Sequence, residues 1–139
     1  MDMSGEGMII HGRIISRGVA SGKALISKQP VSFYGGVNPE NGVVIEKGHE
    51  LEGKSIKGKV LVFPHGKGST VGSYTLYRLR KNGATPKAII NGECETIVAV
   101  GAIISGIPLM DKLERSPFRL LKNGDLVKVD AVKGFVKKK

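Results

Sequence analysis

The sequence predicts an α/β domain, a barrel-like sheet with flanking helices, and three observations carry that prediction. Between Lys59 and Met110 the pattern runs strand, glycine-rich turn, helix, strand, a mixed apolar segment and strand, which is βαβ alternation. Short strand-like runs lie on both sides of that centre. Twenty of the 139 residues are glycine, about twice the usual share, which favours turns and short strands over a helical bundle. A chain of this length forms one domain with a proper core. The expected boundaries are a disordered tail over 1–7, a single domain over 8–136, and a basic tail over 137–139.

Taken in order, Met8 to Ile15 reads as a strand and Val19 to Ser27 as a second, with Ala20, Gly22, Ala24 and Ile26 alternating along it. Pro30 and the cluster Tyr34-Gly35-Gly36-Val37-Asn38-Pro39 mark a loop, and Gly42 to Ile45 another short strand. Glu46 to Gly58 is polar and without period. It carries His49, Glu50 and Glu52, whose spacing fits no helix-borne metal motif, so a solvated loop is expected there. The run Lys59-Val60-Leu61-Val62-Phe63, bounded by Gly58 and Pro64, has the β-branched composition of a buried strand. Tyr74, Leu76, Tyr77, Leu79 and Arg80 then keep helical spacing until Asn82-Gly83 ends it. Pro86 to Ile90 reads as a buried strand parallel to the first, and Asn91 to Glu95 as its outgoing turn. Thr96 to Ser105 is apolar enough for helix or strand; the carboxylates ahead of it favour a helix start and Gly101 weakens that reading. Gly106 to Met110 is a third short strand, Pro117 to Leu121 a link, and the segments from Asn123 to Asp130 and at Phe135-Val136 a closing hairpin.

Composition narrows the function. No apolar run reaches the roughly 18 residues of a membrane span, and the first residues lack a signal peptide's pattern, so a cytoplasmic protein is expected. A single cysteine, Cys94, excludes an internal disulfide and a self-contained cysteine metal site. The net charge of +10 admits nucleic acid as a partner, but the lysines are scattered and aromatics make up 5% with no tryptophan. A basic surface serving an acidic partner or a phosphorylated substrate fits at least as well, and no nucleic-acid partner is expected.

The chemistry concentrates in Phe63-Pro64-His65-Gly66-Lys67-Gly68-Ser69-Thr70-Val71-Gly72-Ser73-Tyr74, a glycine-rich turn from a strand into a helix start. A phosphate-binding P-loop needs a glycine where Leu61 stands, and a dinucleotide fingerprint needs one where Val71 stands. Both readings fail on spacing. A small-anion site remains, in which Gly66 and Gly68 bring backbone N–H groups close, Lys67 supplies charge, and Ser69 faces the reacting carbon. A serine acts as a base only where donors and positive charge stabilise its alkoxide. The alternative is that Ser69 and Thr70 simply cap the helix. His65 lies on the strand side of the loop; Ser73 and Tyr74 read as capping and packing residues, and Arg78 and Arg80 as solvated or partner-facing.

The run Gly66 to Tyr74, followed by Pro86 to Asn91 and by Gly101-Ala102-Ile103 with Ile107-Pro108, resembles the small subunit of the aconitase X family over about Ile9 to Val136. The loop is also similar to the Gly-x-Gly-Ser-Ser turn on the swivelling domain of aconitase. The resemblance implies a swivelling β/β/α domain that closes over a large catalytic subunit in a heterodimer. It implies no metal on this chain and a four-iron four-sulfur cluster on the large subunit. The implied reaction is dehydration of (R)-5-phosphomevalonate to trans-anhydromevalonate 5-phosphate in the archaeal mevalonate pathway. Ser69 matches the family's catalytic base, and Gly66, Lys67, Gly68 and Thr70 are the substrate-binding candidates around it. Two alternatives stand beside this: another aconitase X dehydratase with a hydroxyproline-like substrate, and a non-catalytic basic RNA-binding domain.

Overall fold

The computed structural model describes residues 7–139, so the tail expected over 1–7 lies outside the described residues except for Gly7, whose N–H donates to Lys138 O at 2.7 Å. The chain forms β1 (Ile9–His11), β2 (Arg13–Ser16), β3 (Val19–Ile26), β4 (Val60–Phe63), α1 (Gly72–Lys81), β5 (Ala88–Asn91), α2 (Thr96–Ser105), β6 (Leu109–Asp111), α3 (Pro117–Leu120), β7 (Leu126–Asp130) and β8 (Phe135–Lys138). The strands join in the order β1-β8-β7-β3-β4-β5-β6-β2. The two end strands, β1 and β2, are consecutive in the chain and separated only by Gly12. The sheet therefore curls until its ends meet, which is the barrel-like closure expected.

The single strand expected over Met8 to Ile15 is thus two. A Cβ at Gly12 would lie 2.4 Å from Leu113 Cδ2 and 2.9 Å from Asp111 O, so the chain bends at the one residue that admits this approach. β1 pairs with β8, and β2 pairs with β6. The last strand, expected to stop at Val136, runs on through Lys138, with Lys137 opposite Ile9 and Lys138 opposite Val127. The residues expected to be a basic tail from 137 are largely sheet.

The centre follows the expected pattern. β3, β4, β5 and β6 run parallel, and alternate residues enter two separate cores. Val60, Val62, Ala88, Ile90 and Met110 join Val127, Val129 and Val136 inside the curled sheet. Leu61, Phe63, Ile89 and Leu109 face outward onto Leu76 and Leu79 of α1 and Val98 and Ala102 of α2. Burial on both faces explains why these strands read as unbroken apolar runs. The Thr96 to Ser105 segment is a helix. Glu95 caps it by accepting from Ile97 N at 3.2 Å and Val98 N at 2.8 Å, and Gly106 ends it in a left-handed conformation at φ 67°. Gly101 seats this helix on α1, since a Cβ there would lie 2.6 Å from Leu76 Cδ1 and 3.0 Å from Ser73 Cα.

Three expectations fail locally. Gly42 to Ile45 makes only isolated bridges, Val37 with Val44 and Val43 with Ser55. The segment Glu46 to Gly58 is not simply solvated: Leu51 and Ile56 enter the outer core, and His49 is only 6% exposed. His49 Nδ1 accepts from Leu51 N at 3.0 Å, which leaves Nε2 as donor to Pro30 O at 2.9 Å, a structural staple rather than a metal ligand. The link at Pro117 to Leu121 contains the short helix α3.

Candidate active site

The glycine loop leaves the carboxyl end of β4, where ligands of parallel sheets gather. It is held from two sides. On one side Gly66 forms a parallel bridge to Val31, with Val31 N donating to His65 O at 3.3 Å and Lys67 N donating to Val31 O at 3.0 Å. On the other side a Cβ at Gly66 would lie 2.5 Å from Val98 Cγ2 and 2.7 Å from Glu95 Oε1, so the loop packs directly on the capped start of α2. Gly68 adopts φ 95° beside Ser32 Oγ, a conformation suited to glycine. The Lys67 ammonium reaches Glu46 Oε2 at 2.8 Å. Between them lies an open cleft of about 380 Å³ lined by Ser32, Tyr34, Gly36, Glu46, Lys67 and Gly68.

Ser69 is exposed at the tip. Its Oγ accepts from Val71 N at 3.1 Å, and its carbonyl accepts from Gly72 N at 3.0 Å. The expectation that Ser69 and Thr70 cap α1 is corrected here. The cap position is Val71, which carries no side-chain cap bond, and Thr70 offers only its carbonyl, to Ser73 Oγ at 3.1 Å. The Ser69 hydroxyl instead closes a tight turn just ahead of the helix. The first turn of α1 holds no acidic residue and its last turn holds Arg78, Arg80 and Lys81, so the positive end of the helix dipole stands uncancelled beside Ser69.

Behind the loop a buried carboxylate pairs with a half-exposed arginine. Asp111, with no exposed side-chain surface, accepts from Arg13 Nε at 2.8 Å and Nη2 at 2.7 Å, and from Cys94 N at 2.7 Å. Burial works to raise its pKa, but the Arg13 hydrogen bonds, the Cys94 N–H and the nearby cations outweigh it and hold the carboxyl below its usual range. The pair fixes the turn that delivers Glu95 to the loop. Cys94 beside it is a poor metal ligand: burial first, then the Asp111 and Glu95 charges, push its thiol up to about 12. Among the described residues no group of three or more His, Cys, Asp or Glu is placed to hold a metal. These residues do not fit an iron–sulfur cluster.

The sequence model described as the aconitase X swivel domain matches residues 9–138. The chain belongs to that family. The phosphomevalonate dehydratase small subunit of Methanosarcina acetivorans is 64% identical over 127 residues, covering 91% of this chain and 88% of the relative. The crystal structure of Thermococcus kodakaraensis aconitase X in its holo-form superposes with a TM-score of 0.91 at 52% identity, covering 96% of this chain and 99% of that one. The solution NMR structure of a UPF0107 protein superposes with a TM-score of 0.86 at 49% identity, covering 95% and 99%.

In this aconitase X swivel domain, the predicted site residues form one turn, in which Gly66 is buried and Lys67, Gly68, Ser69 and Thr70 are exposed. His65 stands at its strand side, with Nδ1 placed 2.8 Å from Gly66 O. Arg78 and Arg80 lie in the last turn of α1, at the far end of that helix from the loop. Sequence reasoning missed Glu46, Ser32 and Gly36, which line the cleft, because they sit in segments without period. Glu95 was legible only as a helix start; its contact with Gly66 is tertiary.

Proposed function

We propose that this chain is the small subunit of an archaeal phosphomevalonate dehydratase and supplies Ser69 as the base to a large catalytic subunit. The observation that carries the reading is an exposed serine on a clamped glycine loop, at the positive end of α1, in a chain 64% identical to a relative so named. The Ser69 Oγ takes a proton from the carbon beside the substrate carboxylate. The Val71 N–H and the α1 N-terminus stabilise the negative charge that oxygen carries in its active form. Gly66, Gly68 and Thr70 shape the turn, and Lys67 supplies positive charge for the substrate's anionic groups. An iron–sulfur cluster, by family resemblance, belongs to the large subunit.

Among the described residues no second catalytic side chain hydrogen-bonds to Ser69, whose hydroxyl there accepts from Val71 N. A reaction completed with groups from a partner follows from that. The experiment is anaerobic reconstitution with the large subunit, following (R)-5-phosphomevalonate by mass for loss of one water. Turnover that needs both chains supports the reading. A large subunit that turns over alone, or a complete complex that leaves the substrate intact, refutes it.

A further inference from the structure

We propose that Glu46 determines which anions the glycine loop accepts, holding Lys67 as a resident counter-ion that a phosphate dianion displaces and a simple carboxylate does not. The proposal rests on the reading of a phosphorylated substrate at the Ser69 loop, and it assigns the cleft beside that loop to the phosphate end.

Both charges are mounted on fixed backbone. Ile45 N and Glu46 N donate to Gly36 O at 2.9 and 3.3 Å, while Lys67 N donates to Val31 O at 3.0 Å. Gly36 keeps its place bare: a Cβ there would meet Ser32 O and would come 3.3 Å from Glu46 Oε1, so the carboxylate rests against backbone at the cleft wall. The Lys67 and Glu46 side chains are 44% and 29% exposed, and an ion pair so placed is weak enough to exchange partners. Exchange therefore requires side-chain motion alone.

The charge arithmetic then selects the ligand. A monoanionic carboxylate that replaces Glu46 at Lys67 offers the ammonium nothing that Glu46 does not already give, and it feels the Glu46 charge nearby. A phosphate dianion doubles the attraction to Lys67 and the repulsion from Glu46 alike, and it gains over a carboxylate by presenting several acceptor oxygens to the ammonium and the neighbouring backbone. Lys67 is two positions before Ser69, so an anion anchored there is tethered beside the base while the reacting end remains free to reach it. Glu46 acts through Lys67 and touches no reacting atom. It is a specificity-determining residue.

The test uses the whole isolated chain, a relative of which has been solved in solution on its own. Inorganic phosphate, above its second ionisation, and acetate are titrated separately while backbone amides are followed by ¹H–¹⁵N NMR. The proposal expects saturable shifts at Gly35, Gly36, Lys67 and Gly68 with phosphate and far weaker ones with acetate. Glu46→Gln should tighten binding of both anions, phosphate by about three- to tenfold, and should bring acetate to a saturable response. Lys67→Ala should abolish both responses, and Glu46→Gln should have no further effect in that background, which a merely structural Glu46 would not produce. Unchanged affinities in Glu46→Gln, an effect that survives Lys67→Ala, or linear shifts scattered over the lysine-rich surface would each overturn it. The titration involves neither partner nor reaction, so its failure refutes the role of Glu46 alone, whereas an inactive complex refutes the dehydratase reading.

Discussion

Asp111 shows how a residue remote from the chemistry sets the geometry of the loop. Its carboxylate holds Arg13 and the Cys94 N–H, and the turn so fixed presents Glu95 to α2 and to Gly66. Because its folded pKa lies below the unfolded value of roughly 3.9, its stabilisation is complete above that value and is lost as pH falls through the lower folded one. Asp111→Asn is expected to lower stability at neutral pH by about 1–3 kcal/mol, moderated because Arg13 is half exposed. It should also flatten the acid limb of the stability curve below about pH 4, as measured by denaturant unfolding across pH. A mutant curve parallel to wild type would remove Asp111 from the acid transition. At this scale the glycine loop was legible in the sequence, since glycine, lysine and hydroxyl residues cluster there without a gap. The Asp111–Arg13 pair was not, because its partners are nearly a hundred positions apart and neither lies in a motif.

At the scale of elements, one residue admits the close approach of the two helices. Gly101 lets α2 lie against Ser73 and Leu76 of α1, the helix whose first turn receives the Ser69 loop. Gly101→Val should force the helices apart, lowering stability by about 1–3 kcal/mol in thermal or denaturant unfolding. It should also reduce turnover in the assembled complex by more than the loss of folded protein explains. Activity that falls only with the folded fraction would mean the α1–α2 spacing does not set the loop. The same glycine had weakened the helix reading of Thr96 to Ser105 in the sequence, where a local cost is visible and a close tertiary approach is not. Gly12 misled in the opposite sense. The apolar run from Met8 to Ile15 carries straight across it, and only the nearness of Leu113 and Asp111 breaks the strand. Leu51 and Ile56, scattered among charges, gave no period to read, yet both are core residues.

For the whole molecule, the closed sheet leaves little edge, and an apolar surface remains open elsewhere. Thr70 and Ser73 border a groove completed by Tyr74, Tyr77, Val100 and Ile104, of which Ile104 is 60% exposed. That groove adjoins the Ser69 loop, which makes it the expected contact for a large subunit whose substrate Ser69 reaches. Ile104→Asp is expected to weaken assembly with the large subunit at least about tenfold, read by sedimentation or titration calorimetry, with the circular dichroism of the free chain unchanged. Undiminished assembly would place the partner on another face. The α/β class, the parallel centre and the closing hairpin were readable because buried parallel strands and turn residues leave local signatures. The closure through β1 and β2 was readable only as barrel-like character, since register between distant strands has no local signature.

The measurement that bears most directly on the central claim is turnover of (R)-5-phosphomevalonate by complexes built with wild-type chain and with Ser69→Ala, matched for assembly and cluster content. Ser69 is exposed and, among the described residues, its hydroxyl bonds only to Val71 N, so the substitution should leave folding and assembly intact. The account predicts that dehydration falls by at least about a hundredfold while the complex still binds substrate. Dehydration at near wild-type rate in Ser69→Ala would contradict it, reduce Ser69 to a turn-closing residue, and move the base to the large subunit.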